Sequence, residues 1–292
     1  MKKKVLKVFS KRVKELAGKR KVRIAFGLAK PDKVLLASLK KVSKYAEIIL
    51  VGPEAIKKVR GFEMIIDKEP EKRLASMLAH DEIEGIVRGT IDDFKTAEHY
   101  VKLTGEKINI GPAVMETLTG WQFFLSPGSN PEGWGKEEKL ELASEIASFA
   151  KKWGMRPDIA VFASTRHETY KRKKNIRKGI VGVMNKTYED AEWMVGKLKK
   201  LGFKAKNWSI DLDLAIENGA NIIIPVNGMV GNQIFRAILV SGGKVLAGPR
   251  ITSGRPYEDN SRNEKDFSFH VMWLAAWINS RKKNKKTKST EK

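Results

Sequence analysis

The sequence predicts an α/β protein of two domains, each a mostly parallel sheet with helices on both faces. Three observations carry this. Short runs rich in Val, Ile and Ala alternate with stretches of helical period along most of the 292 residues. The apolar fraction of 41% is enough for a sizeable core. The alternation breaks once, at the Gly- and Pro-rich segment SPGSNPEGWG (126–135), and then resumes. The first domain is placed on 1–127 plus 249–292 and the second, inserted, on 128–248.

The elements follow in order. VRIAFGLA (22–29) reads as a strand and PDKVLLASLKKVSKYA (31–46) as a helix, with Pro31 at its start. EIILVG (47–52), MIID (64–67) and EGIVRGT (84–90) are three further strands, and PEKRLASMLAH a helix before the last of them. In DDFKTAEHYVKL the spacing puts Phe94, Ala97 and Val101 on one face, with Asp92 as cap. KINIGPAVM (107–115) and FFLS (123–126) complete the first group. A long helix follows, with Leu142, Ile146, Phe149 and Trp153 as its buried stripe. The second group holds a strand at DIAVFAST (158–165), a helix at 188–202, a short helix at 211–219 and a buried strand at ANIIIPVN (220–227). Trp273 and Trp277, one turn apart on the last helix, read as core or dimer contacts.

Composition excludes several classes. With no cysteine there are no disulfides and no thiolate chemistry or cysteine-held metal, which fits a reducing cytoplasm. The four histidines are scattered without metal-ligand spacing, so no metal is expected. No stretch approaches 18 consecutive apolar residues, so a soluble, cytoplasmic protein without membrane association is expected. The net charge of +23 is concentrated: +10 in residues 1–23, +6 in 281–292 and +6 in KRKKNIRK (171–178), leaving +1 for everything else. Such segments attract polyanions through charge alone, so nucleic-acid binding is expected to be at most non-specific. The end from about 281 reads as a disordered basic tail.

Two loops carry candidate chemistry. In NIIIPVNGMVGNQIFR (221–236) a buried strand ends at Pro225, Gly228 and Gly231 mark a turn, and a helix is expected to begin near Asn232. Unpaired N–H groups at such a start favour phosphate or carboxylate. GPRITSGRPYEDNSR (248–262) follows another strand and brings Arg250, Arg255 and Arg262 into one turn-rich loop. Guanidinium groups recognise anions bidentately. If both loops leave the carboxyl ends of sheet strands, they share the edge where open α/β sheets bind ligands. The alternative for each is geometry and solvation: glycine for a turn, arginine for water. Arg88 and Lys95 read first as surface charges and second as ligand-facing.

These two segments resemble the phosphotransacetylase/phosphotransbutyrylase superfamily. The resemblance rests on Ala220, Asn221, Pro225, Gly231, Asn232, Phe235 and Arg236, then on Gly248, Pro249, Gly254, Pro256, Asp259, Ser261, Arg262 and Asp266. DKVLLASLKKVSKYAEIILVG, NPEGWGKEEKLELASEIASFA and PDIAVFASTR are similar too, so most of 22–280 is covered. Within the superfamily the chain is most similar to the methyltransferase-related, MtxX-type marker proteins of methanogens. The resemblance implies a phosphotransacetylase/isocitrate-dehydrogenase-like architecture with an interdomain cleft and a homodimer. It also implies an acyl phosphate and coenzyme A as substrates, the latter a co-substrate and not a resident cofactor. Asp266 would then be the base for the thiol, Ser261 its hydrogen-bond partner and Arg262 the cation at the phosphate. Gly228, Gly231, Asn232, Arg250, Arg255, Arg88 and Lys95 would bind substrate. The chain departs from the family at Gly27–Leu28, in the short spacing from Arg262 to Asp266, and where KRKKNIRK replaces a Gly-Ser-Ala turn. Two readings stay open: an acyltransferase, or a methyltransferase-associated protein that keeps the anion pocket without acyl transfer.

Overall fold

A computed structural model describes residues 7–108, 111–128, 132–260 and 264–281. The architecture is α/β, as the alternation predicts. The chain divides into two compact units, one of 1–10 and 104–262, the other of 11–103 and 263–292. The positions 127 and 248 expected as domain limits both fall inside the first of these.

The unit of 11–103 and 263–292 holds a four-stranded parallel sheet of β1 (Val22–Gly27), β2 (Ala46–Gly52), β3 (Glu63–Ile66) and β4 (Gly85–Val87), in the order β3-β2-β1-β4. Ile24, Ala25, Phe26, Leu50 and Val51 are wholly buried, because strands covered on both faces need apolar residues on both. Helix α2 (Lys33–Lys41) starts two residues later than Pro31 suggests: Asp32 is its cap, accepting from the N–H of Val34 at 2.8 Å and Leu35 at 3.0 Å. α3 (Pro70–Ala79), α4 (Asp93–Thr104) and α10 (Ser268–Ser280) complete the unit. α10 is apolar all round, Val271 to Ile278 being buried. Its start is tied to α2, the Phe267 N–H donating to Ser38 Oγ at 3.0 Å.

The expected face of α4 is wrong. Thr96 and Tyr100 are buried, while Phe94 is 74% exposed. The cap holds as expected, Asp92 Oδ1 accepting from the Lys95 N–H at 2.9 Å. The hydroxyl of Thr96 bonds back to the Asp92 carbonyl at 2.6 Å, so a polar side chain satisfied within the helix can turn inward.

The other unit carries a mixed sheet in the order β11-β10-β5-β6-β9-β7-β8. Its strands are β5 (Ala113–Glu116), β6 (Gln122–Leu125), β7 (Asp158–Val161), β8 (Lys204–Asn207), β9 (Ile222–Ile224), β10 (Lys244–Pro249) and β11 (Tyr257–Asp259). β6, β9, β7 and β8 run parallel; β5 is antiparallel to both β6 and β10. β10 therefore runs in the direction of β6 and β9. Helices α5 (Lys136–Lys152), α6 (His167–Lys173), α7 (Gly179–Lys200), α8 (Leu212–Glu217) and α9 (Gly228–Val240) accompany them. The predicted stripe of α5, Leu142, Ile146, Phe149 and Trp153, is buried. Helix α1 (Lys7–Ala17) carries Phe9, which meets Phe124 and Trp153 edge-on.

Candidate functional site

Because β9 and β10 run the same way, the loops that follow them leave the same edge of one sheet. This brings Gly228, Gly231, Asn232, Arg250 and Arg255 into one unit. The helix after β9 begins at Gly228, four residues before the expected start, because Asn227 is a strong local cap. Its Oδ1 accepts from the Val230 N–H at 3.0 Å and its carbonyl from the Gly231 N–H at 3.0 Å. The Gly228 N–H donates to the Glu132 carbonyl at 2.8 Å. Three first-turn donors are thus engaged within the protein, where the sequence reading has them open.

Pro127, Gly128 and Glu132 lie against this helix start. A Cβ on Gly231 would lie 1.9 Å from the Pro127 carbonyl oxygen, so the close approach requires glycine. Asn232 Nδ2 donates to the Gly128 carbonyl at 3.1 Å. Glu132, bonded through its backbone to Gly228, is also among the charges that act on Arg250.

The loop 250–256 closes a β-hairpin, not a link from strand to helix: the Arg250 N–H donates to the Tyr257 carbonyl at 2.9 Å as β11 pairs with β10. Ser253, fully buried, donates its hydroxyl to the Arg250 carbonyl at 2.7 Å. Arg250 pairs with Asp259, Nη2 to Oδ2 at 2.5 Å, their side chains 23% and 16% exposed. Burial works against the Arg250 charge, but Asp259, Tyr257 and Glu132 outweigh it and hold the guanidinium more firmly protonated than usual. Arg255 pairs with Glu106 at 3.1 Å. Two of the three loop arginines are therefore held by carboxylates of the same unit. Ser261 and Arg262 lie outside the described residues.

Arg88, Lys95 and Asp266 belong to the other unit. Arg88 is 1% exposed, which overturns its reading as a surface charge. It sits just past the carboxyl end of β4 and donates Nη1 to the carbonyls of Gly89, at 2.9 Å, and Ile91, at 3.3 Å. A buried guanidinium is tolerated because its donors find acceptors. Lys95 is exposed, as its surface reading holds. Asp266, at the start of α10, accepts from the Ser268 N–H at 2.9 Å. Burial raises its carboxyl, but hydrogen bonds from Ser268 and the charges of Lys41 and His270 bring it below the usual aspartate range.

Sequence reasoning missed Lys139. On α5 it is 3% exposed and donates Nζ to the Val226 carbonyl at 2.9 Å, next to the cap of α9. Burial holds its ammonium below the ordinary lysine range, and Asp190 and Glu138 only partly oppose this. Its place on the buried helical stripe, three residues before Leu142, was the available signal. A groove of about 430 Å³ lies along the far half of α9, lined by Leu118, Leu212, Ile234 and Ile238, and none of the candidate residues faces it. Among the described residues no group of three or more His, Asp or Glu forms a metal cluster. No described helix is long and apolar enough to cross a membrane.

The chain has the fold of the phosphotransacetylases. It matches a branched-chain phosphotransacylase from Enterococcus faecalis with a TM-score of 0.64, at 15% identity, over 89% of this chain and 100% of that one. It matches a phosphotransacetylase from Streptococcus pyogenes with a TM-score of 0.65, at 14% identity, over 94% and 98%. In sequence it is similar to the protein provisionally named methyltransferase mtx subunit X of Methanosarcina mazei, 28% identical over 91% of this chain and 94% of that protein. The counterpart in Methanosarcina barkeri is also 28% identical, over 91% and 97%. No protein-family model matches the chain.

Proposed function

We propose that the protein is a methyltransferase-associated protein of the mtx X-subunit type that binds a small phosphate-bearing ligand. The observation that carries this reading is the similarity to those subunits along 91% of the chain. The anion is assigned to the sheet edge where the α9 start and the Arg250–Arg255 hairpin emerge, with Arg262 as its main cation. Gly228, Gly231 and Asn232 bring backbone close to it. Arg250 and Arg255 shape the hairpin through Asp259 and Glu106, each pair carrying no net charge.

A second reading, acyl transfer between an acyl phosphate and coenzyme A, is favoured by the shared fold. There Asp266 would take the thiol proton, Ser261 would hydrogen-bond the thiolate, and Arg262 would stabilise charge on the phosphate and the oxyanion. Coenzyme A would be a co-substrate. Against it stands the lowered carboxyl of Asp266, since a more acidic carboxylate is a weaker base. In both readings the protein is a homodimer, and any nucleic-acid binding is non-specific.

Calorimetry with phosphate, acetyl phosphate and coenzyme A tests the site, and a thiol-consumption assay separates the readings. Arg262→Ala is expected to cost about 1.5–3 kcal/mol of anion affinity, with Lys restoring only part of it. Binding without thiol consumption supports the first reading. Turnover that Asp266→Asn abolishes, with affinity retained, supports the second. No binding of any of the three ligands removes the anion site itself. Light scattering that shows only a 32.9 kDa monomer removes the dimer.

A further inference from the structure

The basic run 171–178 is part of a folded helical hairpin between α6 and α7. Asn185, 2% exposed, donates Nδ2 to the carbonyls of Lys173 at 2.7 Å and Ile176 at 2.9 Å, pinning the turn. A Cβ on Gly182 would lie 2.4 Å from the backbone of Arg177, so glycine lets the turn lie against α7. Glu189 ties both sides of the hairpin, accepting from the Tyr170 hydroxyl at 3.1 Å and from Arg177 Nη1 at 2.6 Å. Tyr170 stacks on Tyr188 with ring centroids 4.3 Å apart. A charge run that served only solubility would need none of these contacts.

The hairpin holds out Lys171, Arg172, Lys173, Lys174 and Lys178, all exposed and without carboxylate partners among the described residues. Beside them Ile176 is 45%, Ile180 73% and Val183 59% exposed. Ile180 and Val183, three residues apart, share the outward face of the first turns of α7. Cations that surround uncovered aliphatic side chains are complementary to a segment that is acidic and apolar at once.

We propose that the α6–α7 hairpin docks an acidic amphipathic helix of a partner protein, its carboxylates on Lys171–Lys174 and Lys178 and its apolar residues on Ile176, Ile180 and Val183. The same hairpin of a second copy is a poor occupant, because it would bring like charges together. Nucleic acid would use the cations but leave the aliphatic side chains idle. The hairpin from 171 to 186 has no Trp, Phe or Leu to enter a bilayer.

The test uses the full-length protein and fluorescence anisotropy at about 0.15 M salt. The probe is a labelled helical peptide of about twenty residues with Glu and Leu at helical spacing. Beside it run the same peptide with every Leu replaced by Ser, a DNA duplex of equal charge, and phosphatidylglycerol vesicles. The amphipathic peptide is expected to bind best. Losses of at least about tenfold are expected from Lys173→Glu with Lys174→Glu, from Ile180→Ser with Val183→Ser, and from the Leu-to-Ser peptide. All of these substitutions are on exposed positions, and unchanged thermal melting verifies folding. DNA or vesicles binding more tightly than the peptide would overturn the proposal. So would peptide binding that both double variants leave intact, since the termini would then be carrying it.

Discussion

Lys139 shows what one residue can add to the pH response of the whole chain. Its ammonium is buried and its pKa lies below the lysine value of 10.5, so the unfolded chain holds the proton to higher pH than the folded one. Stability must then rise with pH through the window between the lowered value and 10.5. Lys139→Met is expected to lose that rise; urea midpoints of both proteins across the alkaline range check it, and parallel curves would count against it. Arg250 offers a second test. Removing one partner of a largely buried pair strands the other, so Arg250→Ala is expected to destabilise by about 2–4 kcal/mol, and Arg255→Ala by about 1. Denaturant unfolding without ligand measures both, and equal, negligible effects would return these arginines to a purely ligand-facing role. Gly231→Ala should cost about 1–3 kcal/mol, because its Cβ meets a backbone oxygen that cannot rotate away. The residue types at the candidate site were legible from composition and turn chemistry. Their partners were not: Arg255 meets Glu106 across 149 residues.

At the scale of elements, most strands and helices sit where period and punctuation place them, because both signals are local. The departures have local causes that the pattern does not weigh. Asn227 starts α9 early by capping it, and Thr96 turns inward by bonding to its own helix. The orientation of α4 can be tested directly. Phe94→Ser is expected to change stability by less than about 0.5 kcal/mol, whereas Tyr100→Ala should cost about 3–5, as a buried aromatic does. Thermal unfolding of the two variants distinguishes the faces, and the reverse order would restore the face that the spacing alone suggests. The α6–α7 hairpin was legible only as charge. Its order depends on Asn185, which lies in α7 but three residues before the helix that the sequence pattern places at 188–202.

For the whole molecule, charge is the property most visible before folding. Residues 281–292 hold +6 and little apolar periodicity, so their deletion should leave the fold intact. A fall in melting temperature of more than about 5 °C, roughly 3 kcal/mol at this size, would show that the tail packs. The α/β class, the mostly parallel pairing, the buried α5 stripe and the concentration of charge all follow from the sequence by itself. Each depends on neighbours within a turn or a strand, where period and composition are enough. Tertiary structure alone decided that Arg88 is buried and that carboxylates hold Arg250 and Arg255. It also decided that Lys139 loses its water and that the basic run is folded. Those outcomes depend on which distant groups the chain brings within a few ångströms, and on the desolvation each charge undergoes there, neither of which a local pattern contains.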